Sequence, residues 1–208
     1  DAKYTAILTE ISDPDANMDV VQLEKAPKIA VYTPESKLPW DDAVTMVLTY
    51  AEIPFDKVYD NELLEDKLVK YDWLHLHHED FTGQYGKFYA AYRNAPWYMT
   101  DVKNNEAMAK KNGFNKVSKL KLAVAQKIKH FVLGGGYLFA MCSATDSYDI
   151  ALSAENTDIC DVMYDGDPQA PNAQNELNYD KCLAFKDFRL VTNPYEYEYS
   201  DIDVTGTR

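Results

Sequence analysis

Cys142 stands where a thiol can do chemistry. It follows a nearly all-apolar run, residues 137–141, and precedes Ser143, Ala144, Thr145 and Asp146, residue types that open helices. A thiol between a buried strand and a helix N-terminus meets backbone N–H groups that stabilise an anion, so the thiolate is favoured. The chemistry this suits is nucleophilic attack on a carbonyl. A sharp nucleophile elbow prefers glycine two residues to either side, because the turn is strained. Those positions hold Ala140 and Ala144, which permit the turn without demanding it. The alternative is a buried cysteine that fills space, the commoner fate of a free thiol.

A second set of reactive side chains lies at 75–80: His75, His77, His78, Glu79 and Asp80, followed by Phe81, Thr82 and Gly83. His78 or Glu79 can serve a thiol as a base. The backbone at Thr82 and Gly83 can offer N–H groups to an oxyanion. A divalent metal is a third use for such a set. Strand alternation argues against it: His75 and His77 face one side and His78 the other, so the three cannot share an ion without a bend. The competing expectation is that His75 and His77 are hydrogen-bonded sheet residues and that the acids cap a loop.

Both sets need a scaffold, and the periodicity of the chain supplies one. Residues 28–32, 55–59, 71–77 and 137–141 read as strands. Helical patterns occupy 1–10, 40–52, where Val44, Val47 and Leu48 share a face, and 63–69. A longer one, 115–133, places Val117, Leu120, Val124, Ile128 and Val132 on one stripe and ends at Gly134, Gly135 and Gly136. Another runs from Cys142 to about residue 154. Pro14 sits in a turn over 12–17, and Pro54 stops the second helix. Strands that alternate with helices predict a single α/β domain with a mostly parallel, flavodoxin-like sheet. Ligands of such sheets bind outside the carboxyl ends of the strands, which puts His78, Glu79 and Asp80 on the same rim as Cys142. The rhythm breaks in the less regular region 155–208. There, residues 161–179 read as a surface excursion, 185–191 as a strand, and 195–199, Tyr-Glu-Tyr-Glu-Tyr, as an edge strand.

Composition narrows the function classes. The 208 residues carry 21 basic and 34 acidic side chains, a net charge of −13, which argues against a nucleic-acid partner. No run approaches the ~20 apolar residues of a membrane span. Three cysteines, Cys142, Cys160 and Cys182, are too few for a disulfide scaffold; a Cys160–Cys182 bridge would leave Cys142 as the odd thiol. The chain opens at Asp1 without methionine, so a trimmed N-terminus is expected.

The order strand, helix, strand, HHED loop, long helix and GGGYLFAMCSATDSYDIAL resembles the class I glutamine amidotransferase-like fold, a three-layer sandwich whose relatives include trehalose-utilisation-type (ThuA-like) domains. More closely, KIAVYTPESKLPWDDAVTMVLTYAEIPFDKVYD, YDWLHLHHEDFTGQYGKF, FAMCSATDSYDIAL and the tail from TDICD through DGDP to DIDVT resemble a family of bacterial proteins commonly labelled asparagine synthetase B. The likeness covers essentially the whole chain. Members of that family are longer at both ends, begin with a secretory signal, and continue into a segment with a Gly-Gly-His motif. The resemblance therefore implies an exported, periplasmic protein of which this chain is a part.

By the same resemblance Cys142 matches an amidotransferase nucleophile. The catalytic base would be a histidine after a later strand. His130 lies in the helix before the elbow and is badly placed, so the base is either His78 or lies outside this chain; in the second case the 208 residues alone would not hydrolyse glutamine. The expected site thus comprises Cys142, His78 and Glu79 for catalysis, and Ser143, Thr82, Gly83 and Asp146 for the oxyanion or ligand. It has no metal and no cofactor. Two alternatives stay open. One is a non-catalytic module for a small molecule or carbohydrate. The other is ATP-dependent amide synthesis, whose Ser-Gly-Gly-x-Asp-Ser loop is shared by 142–147 only at Asp146 and Ser147.

Overall fold

The structure, a computed structural model of the chain, describes residues 2–11, 13, 26–34 and 43–202. Helix α1 (Ala2–Ile11) precedes strand β1 (Ile29–Tyr32), and helix α2 (Ala43–Tyr50) leads to β2 (Phe55–Val58). Helix α3 (Asp60–Leu64), with a 3₁₀ turn at Lys67–Lys70, leads to β3 (Trp73–Leu76). Helices α4 (Tyr89–Tyr92), α5 (Pro96–Lys111) and α6 (Val117–Leu133) come before β4 (Tyr137–Ala140). Helix α7 (Ala144–Ser153) follows, then the short α8 (Val162–Asp165) and α9 (Ala173–Glu176). The expected turn at 12–17 and the start of the second helix, 40–42, fall almost wholly outside the described residues.

The fold is α/β, flavodoxin-like, with an all-parallel sheet in the order β2-β1-β3-β4. The register aligns Ile29 with Phe55 and Trp73, and Leu76 with Ala140. One sheet face, with Ala30, Tyr32, Leu74 and Leu76, forms a continuous core with Leu63, Leu120, Val124 and Ile128. Helix α6 is the spine of that layer and packs on α3, α5 and α7. It ends where the three glycines require it to. Gly135 takes φ +96°, and a Cβ on Gly136 would stand 2.3 Å from the Phe131 ring.

The opposite face is less well covered. Helix α2 lies over Ile29, Trp73, His75, Tyr137 and Phe139 and leaves an apolar groove of about 640 Å³. Residues 137–141 were expected to be buried on both faces, and the structure corrects this: Tyr137 is 60% and Phe139 42% exposed. β4 is an edge strand, and its outer side chains look into a groove that α2 does not fill. An apolar run reports what a strand can face, not how many layers cover it.

The expected strands at 185–191 and 195–199 are absent; one antiparallel bridge, Leu190 to Ser200, joins these segments. Side chains take up backbone groups in and just before these segments instead. Asp149, fully buried, accepts the N–H groups of Leu183, Ala184 and Phe185. Lys87 donates to the carbonyls of Val191 and Glu198. The tail is thus pinned as a coil over α7 and the 77–88 loop rather than paired as a sheet edge. Helix α5 went unassigned by periodicity, though Pro96 at its first turn and Lys110, Lys111 and Gly113 at its end are the usual start and stop signals.

Many of the sixteen tyrosines are packed inside. Burial pushes the phenols of Tyr32 and Tyr199 well above their ordinary range and that of Tyr98 to about 12. Below pH ~10 both folded and unfolded chains keep these protons; above it the unfolded chain releases them first, so stability falls as pH rises. In an alkaline titration the tyrosinate absorbance of this buried set should appear together with loss of the circular dichroism signal. Ionisation of the whole set with the fold intact would contradict this packing.

Candidate functional site

The carboxyl ends of the strands carry the site. Cys142 lies two residues past the end of β4, is exposed, and adopts φ +51°, the left-handed region that a non-glycine residue enters only under constraint. Ala144 behind it is fully buried, which holds the start of α7 against the core. The loop after β3 runs beside this turn. Met141 N–H donates to Leu76 O (3.1 Å), and Ser143 Oγ donates to His78 O (2.8 Å). His78 and Cys142 are each two residues past the last registered pair of β3 and β4, so they leave the sheet side by side.

The histidines divide as strand alternation requires. His75 stacks on Phe139 and, with His77, lines the apolar groove, whereas His78 lines a different cavity. The Nδ1 atoms of His77 and His78 approach to 3.1 Å, so one donates and the other accepts, which ties the two tautomers together. Glu79 accepts the N–H of His77 and also lines the His78 cavity.

That cavity is a cleft of about 520 Å³. Pro34, Tyr59 and His78 reach it from just beyond β1, β2 and β3, the location expected for a ligand in a parallel sheet. Its far wall is one stripe of α5, with Trp97, Asp101 and Asn104. Its floor includes Lys121, which is buried and holds both oxygens of Asp60 at 2.9 Å beneath the rings of Tyr32 and Tyr59. The α5 stripe and the Lys121–Asp60 pair were missed from sequence. A lysine on the buried face of α6, between Leu120 and Val124, was the signal for the pair.

Three expected ligand residues are used otherwise. The N–H and hydroxyl of Thr82 both bond to Asp80 Oδ1 at 2.6 Å, so that N–H is already committed and does not await an oxyanion. Asp146 is fully buried in the first turn of α7 and accepts the hydroxyl of Ser200, holding the tail rather than facing a ligand. Ser143 is buried, and its side chain ties the two loops together; its own N–H heads α7, where helices leave donors unused. Gly83 does line the cleft, at φ +85°, and a Cβ there would come within 2.7–2.9 Å of Ser118. Gly83→Ala should cost about 2–4 kcal/mol from left-handed strain and overpacking, read as a lower urea midpoint at unchanged slope. A loss under ~1 kcal/mol would mean that the loop relaxes freely.

The other thiols differ from Cys142. Cys160 is buried against Thr82 O, and Cys182 sits against Asp149 O; no disulfide joins them. Burial raises both thiols, that of Cys182 to about 12. Among the described residues the side chains close enough together to share an ion are Asp158, Cys160 and Asp165, not the 75–80 set. The ammonium of Lys116 already bonds Asp158, Asp165 and Asp167 there. No described helix is long and apolar enough to cross a membrane. No family model, curated protein or solved structure matches the chain.

Proposed function

We propose that the chain is a cysteine-dependent amide hydrolase of glutamine amidotransferase type, with Cys142 as nucleophile and His78 as its base. The observation that carries this is the left-handed backbone of an exposed cysteine at a parallel-strand-to-helix turn. Local packing does not call for a thiol at that position, and strain of this kind gathers at working sites. The neighbouring β3 loop supports the role of His78, since its backbone is tied to Ser143.

In the step this geometry suits, Cys142 Sγ attacks the amide carbonyl carbon and its proton passes to His78. Negative charge builds on the carbonyl oxygen beside the start of α7, where the Ser143 N–H serves as its donor. The C–N bond then breaks, and the leaving nitrogen takes the proton from His78, so ammonia departs and a thioester remains. Water, deprotonated by the same histidine, releases the acid and restores the thiol. Glu79 holds the start of the loop through the His77 N–H and so positions the histidines.

Alkylation by iodoacetamide near neutral pH tests the premise. Cys142 should react on the order of 10² times faster than Cys182, whose thiol is raised and half-buried, and Cys160 should not react in the folded chain. Equal rates at Cys142 and Cys182 would remove the premise.

A further inference from the structure

We infer that residues 191–199 form a strap that braces one wall of the cleft, so that strap and wall act as a single switch. The wall is the segment 85–88. Tyr85, Gly86 and Phe88 line the cleft, whereas the side chain of Lys87 runs away from it to the tail. The backbone of this wall is costly. Tyr85 takes φ +51°, Gly86 +71° and Lys87 +52°, a left-handed run in which only the middle residue is glycine. Such a run persists only where its surroundings over-determine it. Within the loop, Asp80 Oδ2 accepts the Gly86 N–H at 3.0 Å, and Gln84 O accepts that of Lys87 at 3.0 Å. From behind, the buried Lys87 ammonium donates to Val191 O at 2.7 Å and to Glu198 O at 2.8 Å.

The strap is rooted at its base and lightly held at its tip. The base is a short antiparallel neck, in which Val191 N–H donates to Tyr199 O and Asp201 N–H to Arg189 O. Tyr199 and Ser200 are buried there, and the Ser200 hydroxyl donates to Asp146. Beyond the neck the chain turns at Asn193, whose side chain accepts the Tyr195 N–H and whose carbonyl accepts that of Glu196. The tip rests on the wall through rings, Tyr197 on Phe88 at 5.8 Å and Tyr195 on Tyr89 at 6.2 Å, and both tip rings stay partly exposed. A segment of this kind opens locally at low cost, about its base. Seated, it holds Lys87 and with it the left-handed run. Lifted, it lets the wall relax toward right-handed backbone, and the cleft changes shape. The inference is independent of the chemistry assigned to Cys142.

Amide hydrogen exchange, read residue by residue by NMR, tests the coupling from both sides. In Lys87→Met the amides of residues 86, 87 and 191 should all exchange on the order of tenfold faster or more, since two charge-assisted hydrogen bonds are lost. Tyr197→Ala alters only the strap, yet it should speed residues 86 and 87 about threefold or more. Gly86→Ala alters only the wall, where a Cβ would stand 2.5 Å from the Phe88 ring. It should speed residue 191 by a similar factor, because coupling is reciprocal. The amides of β3 and α6 should keep their parent rates in Tyr197→Ala and Gly86→Ala. If Tyr197→Ala speeds residue 191 and leaves 86 and 87 unchanged, or Gly86→Ala leaves residue 191 unchanged, strap and wall are not coupled and the inference fails. Acceleration spread over β3 and α6 in both variants would equally overturn it, as general loosening rather than a switch.

Discussion

Cys142→Ser should lower glutamine hydrolysis by about 10³-fold or more, the usual cost of removing a covalent nucleophile. Its stability should stay within about 0.5 kcal/mol of the parent, because the side chain is exposed. Cys142→Gly gives the sharper contrast. It should be equally inactive, yet up to about 1 kcal/mol more stable, since glycine relieves left-handed strain of about 1–2 kcal/mol and returns part of that as chain entropy. A variant that is inactive and more stable is the mark of strain held for function. His78→Asn should cost about 10²–10⁴-fold in rate at little cost in stability. A Cys142→Ser protein that retains activity would end the nucleophile assignment, and a destabilised Cys142→Gly would show that the turn is not strained.

Asp60→Ala should destabilise the chain by about 3–5 kcal/mol. Asp60 is fully buried, and Lys121 is nearly so. The carboxylate accepts two bonds from the ammonium and one from the Tyr32 hydroxyl. Removing it leaves a cation in the core with only phenols and ring faces as partners. Lys121→Met combined with Asp60→Leu should recover most of the loss, because a buried pair replaced by apolar volume is often neutral. The readout is the urea midpoint at constant slope. A loss below ~1 kcal/mol would mean that water reaches the pair. The pair also bears on the site: Lys121 and Tyr59 are shared by the core and the cleft, so Asp60→Ala should loosen the cleft floor.

How much of this was legible in sequence follows from the range of each interaction. β1, β3 and β4 were found because apolar runs and strand ends are local, and the turn at Cys142 followed from them. The separation of His75 and His77 from His78 was legible because alternation along a strand is geometric. The roles of Thr82 and Asp146 were missed. Thr82 bonds Asp80 only two residues before it, an Asx-type contact that the spacing did offer, whereas Asp146 depends on Ser200, far along the chain, which spacing does not encode. The tail misled for the same reason. Tyr195 to Tyr199 alternates like a strand, yet Lys87, more than a hundred residues earlier, takes the carbonyls of Val191 and Glu198. The exposed side of β4 was hidden because apolar residues line an unfilled groove as readily as a filled core.

The central claim is that Cys142 attacks an amide carbonyl. Its most direct test is to treat the chain with a diazo-ketone analogue of glutamine, which alkylates only a thiol poised at the substrate carbonyl, and to map the adduct by peptide mass spectrometry. The expected result is one adduct per chain, on Cys142, suppressed by excess glutamine, absent in Cys142→Ser and slowed in His78→Asn. An unmodified Cys142, or label shared between Cys142 and Cys182 and indifferent to glutamine, would contradict it.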